Sequence, residues 1–331
     1  MLNYSFIIPV FNRPNEIEEL LESFTKVEFE RDYEIVIVED GSTEKSEAII
    51  KEYSKELNIS YYFKPNSGPG DSRNYGMERA KGDYFIVLDS DVILPSNYLI
   101  EVDKFLLSNF VHAFGGPDDA HASFSDLQKA INFAMTSLLT TGGIRGGKKQ
   151  VGKFQPRSFN MGISKEAFEA TGGYGKIHPG EDPDLTFRIW NAGFETALIP
   201  DAKVFHKRRI SWSSFRTQVY KFGVVRPILS KWHKGTGKIT FWFPTLFTLY
   251  LLFSLAISPF CQLPILMVLI YLLLIMSTAL SQTKSLKIAV MSVVTSLIQF
   301  ISYGYGFLIS NFKINVLGKS PKEAFPKFFF K

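Results

Sequence analysis

Three stretches in the second half of the chain, Ile239 to Ser258, Leu263 to Leu280 and Ile288 to Ile309, contain no charged side chain. Each is about long enough to cross a hydrocarbon core of ~30 Å as a helix. Three uncharged runs of this length in succession are rare in a soluble core, so they predict a membrane-associated helical region, most simply three crossings. Charge changes at the same place. Up to Asp201 acids outnumber Lys and Arg by 11, whereas beyond it 17 Lys and Arg accompany one acid, Glu323. A basic excess beside apolar runs selects anionic membrane lipid as a partner and argues against nucleic acid. Just before the runs, Trp212, Phe215, Val219 and Phe222 interleave with Arg208, Arg209, Arg216, Lys221 and Arg226, the spacing of a basic amphipathic helix on a membrane surface. Lys313, Lys319, Lys322, Lys327 and Lys331 follow the last run, where three crossings place them on the side that the positive-inside tendency disfavours. Re-entry of Ile288 to Ile309, interrupted by Gly304 and Gly306, would remove that conflict.

The single cysteine, Cys261, excludes a disulfide framework or a cysteine metal cluster within one chain, and fits a reducing compartment. No basic stretch precedes the first apolar run and no small-residue cleavage site follows it. The expectation is a multi-pass protein of the cell inner membrane with a cytoplasmic soluble domain.

The first half has the pattern of an α/β domain with a largely parallel sheet. Strands are predicted over Ser5 to Val10, Glu34 to Val38, Ile59 to Phe63, Tyr84 to Leu88 and Val111 to Phe114. Ile17, Leu20, Leu21 and Phe24 fall at helical spacing after Pro14, as do Ile49, Tyr53 and Leu57 later. A further helix is expected over Phe124 to Leu139, then a mobile glycine- and lysine-rich loop from Gly142 to Lys149. The expected organisation is a soluble domain over 1–206, an interfacial segment over 207–238, about three membrane helices over 239–311 and a basic tail over 312–331.

The most informative chemistry lies at Gly82 to Asp91, where an apolar strand ends in Asp89-Ser90-Asp91. Two carboxylates there can hold Mg²⁺ or Mn²⁺, which neutralises a diphosphate. Alone, the pair is better explained as a turn capping the helix near Ser96. An earlier strand also ends in acid, at Glu39-Asp40-Gly41-Ser42, and parallel strands deliver such ends to the edge where α/β folds bind ligands. Between them, Asn66 to Asn74 is a Gly-rich turn entering a helix, with backbone N–H groups and Arg73 available to an anion. The first strand is followed by Phe11-Asn12-Arg13-Pro14 and not by G-x-G-x-x-G, which argues against a Rossmann dinucleotide site.

Ile7-Ile8-Pro9-Val10-Phe11-Asn12, Val38-Glu39-Asp40-Gly41-Ser42, Gly70-Asp71-Ser72-Arg73-Asn74 and Leu88-Asp89-Ser90-Asp91 together resemble the motifs of family-two glycosyltransferases, in order and spacing. Phe159 to Gly162, Thr171 to Tyr174 and Gly180 to Leu185 resemble that family's acceptor-side half, so the likeness covers roughly the first 225 residues. The resemblance implies a GT-A fold, a Rossmann-like and mostly parallel sheet, and inverting transfer from a nucleoside diphosphate sugar with Mn²⁺ or Mg²⁺. It implies that Pro9, Asp40, Arg73 and Asp89 bind the donor, Asp40 at the nucleobase, and that Asp91, Asp89 and His206 hold the metal. Asp182 would be the general base, with Glu181 in reserve one residue away. On its own chemistry Asp182 suits a helix N-cap before Pro183, where accepted N–H bonds lower its pKa; His206 is equally well explained as a buried neutral histidine.

The sequence departs from the processive polysaccharide synthases, since Arg216 to Gly223 lacks their Gln-x-x-Arg-Trp, and a single-addition enzyme is expected. The acceptor would be a lipid-linked or membrane-proximal glycan, the product part of a cell-surface glycan. The competing readings are a polyprenyl-phosphate glycosyltransferase and a catalytically silent membrane protein that only binds nucleotide sugars.

Overall fold

The computed structural model describes residues 1–119, 124–142, 153–206 and 211–330, and the chain forms two compact units. The first lies within Met1–His121, Lys148–Lys207 and Lys327–Lys331. It opens with β1 (Tyr4–Val10), α1 (Pro14–Phe24), β2 (Glu34–Asp40), α2 (Glu47–Tyr53), β3 (Ile59–Lys64), α3 (Pro69–Met77) and β4 (Tyr84–Leu88). There follow β5 (Val92–Ile93), α4 (Tyr98–Ser108), β6 (Ala113–Gly115) and β7 (Asp118–Asp119). The second unit contributes α5 (Asp126–Thr136) and α6 (Leu138–Thr141), and the first resumes with β8 (Asn160–Ser164), α7 (Lys165–Thr171), α8 (Glu181–Asn191), β9 (Thr196–Leu198) and β10 (Val204–His206).

Seven strands form one sheet in the order β3-β2-β1-β4-β8-β6-β9. The first four run parallel, so the carboxyl ends of β1, β2 and β4 meet at one edge, as the sequence predicts. Strand β8 is antiparallel to both neighbours. Both faces are covered, which is why these strands read as continuous apolar runs and not as alternation. Phe6, Ile8, Ile35, Ile37 and Ile86 pack with Ile17, Leu20, Leu21 and Phe24 of α1. On the other face Ile7, Val36, Val38, Phe85 and Val87 pack with Met77, Leu185 and Ile189. Truncating a fully buried side chain such as Leu20 to Ala would cost about 2–5 kcal/mol through lost transfer energy and the cavity left behind.

Some boundaries differ from the sequence reading. The strand expected at Val111 starts at Ala113, and α2 ends at Tyr53, short of Leu57. The helix expected over Phe124 to Leu139 is broken at Ser137, whose extended backbone closes α5 and caps α6. Gly143 to Lys149 of the expected mobile loop lie outside the described residues. The expected soluble domain over 1–206 also differs from the compact unit, because α5 and α6 group with the second unit.

That second unit adds α9 (Trp212–Trp232), α10 (Phe243–Ile257), α11 (Leu263–Thr283), α12 (Leu286–Asn311) and the short α13 (Pro321–Ala324). In α9, Phe215 and Val219 are buried while Trp212 and Arg216 are exposed. Three segments, Ile239–Ile257, Leu263–Thr283 and Leu286–Val316, are long and apolar enough to cross a membrane. Large apolar side chains stand exposed along α10 and α11, among them Leu246, Phe253, Leu266 and Leu273. Helix α12 instead buries Ser292, Thr295, Ser296 and Ser310.

Candidate active site

At the shared sheet edge the loops after β1 and β2 are tied together. Asn12 has φ 53°, which asparagine tolerates better than most residues. Its Oδ1 accepts from Thr43 N (2.8 Å), Thr43 Oγ1 (3.0 Å) and Glu44 N (3.1 Å). Pro9 stands beyond the ladder to β4, which ends at Ile7, and pairs with Val38 of β2.

Asp40, at the end of β2, is buried and committed. Its Oδ1 accepts from Lys64 Nζ (2.6 Å) and Ser67 N (3.0 Å), and its Oδ2 from Gly68 N (2.9 Å). It therefore anchors the loop from Lys64 to Gly68. Gly68 carries φ 96° at the start of α3, a conformation that a side chain would strain.

Chain polarity at β4 creates the acidic cluster. Asp89 and Asp91 follow the strand in a turn, and the next two residues form β5, which pairs antiparallel with β10 in the register His206 to Val92. That register, set across the chain, brings His206 beside Asp91. Ligand atoms of Asp89, Asp91 and His206 lie within 4.8 Å of one another. His206 Nε2 is 3.2 Å from Asp91 Oδ1, while Nδ1 faces Asp118 Oδ2 at 3.6 Å and Phe159 stacks on the ring at 4.9 Å between centroids. A ring nitrogen aimed at the cluster with the other toward a carboxylate is the arrangement of metal-binding histidines. Asp91 Oδ1 is buried, with His206 Nε2 as its neighbour. Two carboxylates and an imidazole around such an oxygen are a donor set that could hold a divalent metal ion. The cap alternative does not hold, since α4 starts after Asn97 and carries no side-chain cap.

Arg13 is a member of this cluster that the motif reading passed over. Its Nη1 lies 2.7 Å from Asp91 Oδ2, across 78 positions of sequence. Burial opposes ionisation of Asp91, but His206 and Arg13 outweigh it and hold its carboxyl well below the usual range.

Arg73, on α3, links the cluster to a second acidic pair. Its Nη2 binds Asp89 Oδ1 at 2.7 Å and its Nη1 lies 3.3 Å from Glu181 Oε1. Its Nε is buried with no hydrogen-bond acceptor. Burial opposes its charge, yet Asp89, Tyr174, Glu181 and Asp182 keep its pKa above the ordinary value. Glu181 Oε1 also lies 2.8 Å from His178 Nδ1. Despite burial, His178 and Arg73 hold Glu181 ionised to unusually low pH.

Asp182 differs from the capping expectation. Gly180, with φ 121°, is the N-cap of α8, so Asp182 is the second helical residue and Pro183 the third. Proline is tolerated in that first turn because its missing N–H has no intrahelical partner there anyway. Freed from the cap, Asp182 has a raised pKa, first through burial and then through the charge of Glu181, the reverse of the direction expected for a cap. Its Oδ1 is enclosed and accepts no hydrogen bond.

Residues 5–172 match the description of Glycosyl transferase family 2. The chain belongs to that family. Among curated relatives of this family-two chain, the poly(ribitol-phosphate) β-N-acetylglucosaminyltransferase TarS of Staphylococcus aureus is 32% identical over 109 residues, 32% of this chain and 19% of TarS. A GalNAc(5)-diNAcBac-PP-undecaprenol β-1,3-glucosyltransferase of Campylobacter jejuni is 29% identical over 118 residues, 35% of this chain and 38% of the relative. The match thus spans less than half the length of either. In structure, a mannosyltransferase of Pyrobaculum calidifontis solved with GDP-mannose and Mn²⁺ aligns with TM-score 0.64 at 15% identity, covering 93% of this chain and 87% of that one. The family-two chain therefore has the GT-A fold, with a C-terminal helical region holding three candidate spans.

Proposed function

We propose that this glycosyltransferase is an inverting enzyme that moves a sugar from a nucleoside diphosphate sugar to a hydroxyl on a lipid-linked or membrane-proximal glycan, in cell-surface glycan synthesis. The observation that carries this reading is the division between the acidic groups at one sheet edge. Asp91 is held ionised beside Asp89 and His206, whereas Asp182 has a raised pKa and an unpartnered oxygen. Environments that push neighbouring carboxylates apart in pKa are how acid–base roles are assigned in one site.

Mn²⁺ or Mg²⁺ held by Asp91, Asp89 and His206 would neutralise the diphosphate as it leaves. Arg73, fixed between Asp89 and Glu181, keeps its charge and has the free Nε donor to offer a phosphate oxygen. Asp40 serves the donor by holding the loop of Asn66 to Gly68, and Pro9 lines the same edge. Asp182 takes the acceptor proton as the sugar carbon is attacked from the face opposite the diphosphate. Glu181 is unsuited to that task because Arg73 and His178 already hold its charge. A base of raised pKa serves a hydroxyl, which must lose a proton, and is superfluous for a phosphate acceptor; this favours the hydroxyl over a polyprenyl phosphate. The name of the Campylobacter relative supports a lipid-linked acceptor. The catalytic unit is assigned to the cytoplasmic face of the inner membrane, with anionic lipid against the basic face of α9.

The test is a panel of nucleoside diphosphate sugars presented with Mn²⁺ to the purified chain in lipid. Release of the diphosphate from one donor, lost in Asp91→Ala, supports the assignment. Tight binding of a donor without release on any acceptor fraction would make the chain a silent binder.

A further inference from the structure

The far end of the described chain lies in the catalytic unit. Lys327–Lys331 group with it, although more than a hundred residues of helical unit separate them from β10. Phe328 to Phe330 run beside Lys176 to His178 as a short antiparallel pairing. His178 N donates to Phe328 O (2.8 Å), Phe330 N donates to Lys176 O (3.1 Å), and Ile177 bridges Phe329. The Phe330 ring lies 6.0 Å from the His178 ring between centroids. It also covers Gly68, where a methyl group would stand 2.5 Å from it. His178 in turn contacts Glu181, Glu181 contacts Arg73 and Arg73 contacts Asp89, at 2.8, 3.3 and 2.7 Å.

We propose that Phe330 is a positioning residue of the active site, holding His178 against Glu181 and, through Arg73, fixing the donor-side carboxylate Asp89. This rests on the glycosyltransferase reading of the site. A ring at that place has two neighbours to order, the His178 imidazole and the Gly68 turn anchored by Asp40, and no charge of its own to supply.

From the same docking we infer the parity of membrane crossings. The chain leaves the catalytic unit after β10 and is back in it at Lys327, and a compact unit lies on one side of a bilayer, so the intervening helices cross an even number of times. Helices α10 and α11 are the crossing pair: their candidate spans are 11% and 17% buried, against 39% for the span containing α12. Two hydroxyls of α12 reach other helices, Thr295 Oγ1 to Ala130 O at 3.1 Å and Ser310 Oγ to Val224 O at 2.7 Å, while Ser292 and Ser296 bond within α12, and its Lys287 pairs with Asp126 at 2.8 Å. Lys313, Lys319, Lys322 and Lys327 then share the side of Lys284 and Lys287, which satisfies the positive-inside tendency.

The test is a double-mutant cycle in the full chain in lipid. Phe330→Ala and His178→Ala should each lower turnover about tenfold, and together also about tenfold, because residues acting through one another are non-additive; Phe330→Tyr should restore turnover. Multiplicative losses, or unchanged turnover in Phe330→Ala, would overturn the proposal. A matched thermal midpoint and failure of the Tyr rescue would do the same. If Asp91→Ala also kept full turnover, the error would lie in the site reading and not in Phe330. For parity, single cysteines at Lys55 and Lys319 in a Cys261→Ser background are probed with an impermeant thiol reagent on intact cells. They should behave alike, and opposite to native Cys261 in the α10–α11 loop. Lys319→Cys labelling with Cys261 would contradict an even count.

Discussion

The two acidic pairs of the site, Asp89 with Asp91 after β4 and Glu181 with Asp182 at the start of α8, have the same charge and opposite surroundings. Asp91 faces Arg13 and His206, and stays ionised although burial opposes it. In the second pair Glu181 takes the contacts with Arg73 and His178, and at Asp182 burial and the field of Glu181 outweigh Arg73, Arg157 and Ser158. Neighbouring carboxylates become a ligand set or a base according to which of them receives the positive charge.

The largest expected effect breaks the second pair. Asp182→Asn should keep the fold and donor binding and lower turnover on a hydroxyl acceptor by about 10² to 10⁴, the range for removing a general base. Steady-state kinetics beside donor binding separates the two. Loss of activity in Glu181→Gln with Asp182→Asn near normal would reverse the assignment.

A smaller effect sharpens the comparison through pH. Because Asp182 has a raised pKa, it is protonated at pH values where an ordinary aspartate is ionised, and kcat/KM should fall on the acid side at higher pH than a free carboxylate of pKa ~3.9 would give. Glu181→Gln removes one of the charges that raise it and should move that limb to lower pH. A limb that stays in place in Glu181→Gln would show that the two carboxyls are not coupled as described.

The smallest effect concerns Arg13, which occupies Asp91 Oδ2 at 2.7 Å. Arg13→Ala should tighten Mn²⁺ binding severalfold in the absence of donor, since a competing cation at ~3 Å is removed from a partly exposed pair worth about a kcal/mol. Equal or weaker binding in a metal titration would show that Arg13 assists the metal.

Much of this was legible in the residues. The apolar runs before Asp40 and Asp89, and the glycine turn at Gly68, announce a parallel sheet and its ligand edge, because strand identity and polarity are local properties. Three features were not legible, each for a physical reason. Arg13 reaches Asp91 only because β1 and β4 are neighbours, a fact of sheet order. The cap position suggested for Asp182 does not hold, and nothing in Gly180-Glu181-Asp182-Pro183 says that Gly180 takes the positive φ and starts the helix two residues earlier. The return of Phe328 to Phe330 to Lys176 to His178 depends on backbone pairing, which leaves no side-chain pattern. By contrast His206 could be matched from the family pattern, and the β5–β10 register supplies the geometry.

The most direct measurement of the central claim is Mn²⁺ binding to the full chain with a nucleoside diphosphate present, followed by electron paramagnetic resonance, for wild type and Asp91→Asn. One tightly bound ion in the wild type, weakened by about a hundredfold or more in Asp91→Asn as expected for loss of a direct ligand, is the predicted result. Equal occupancy in the two proteins would contradict a metal-assisted donor site at Asp89, Asp91 and His206.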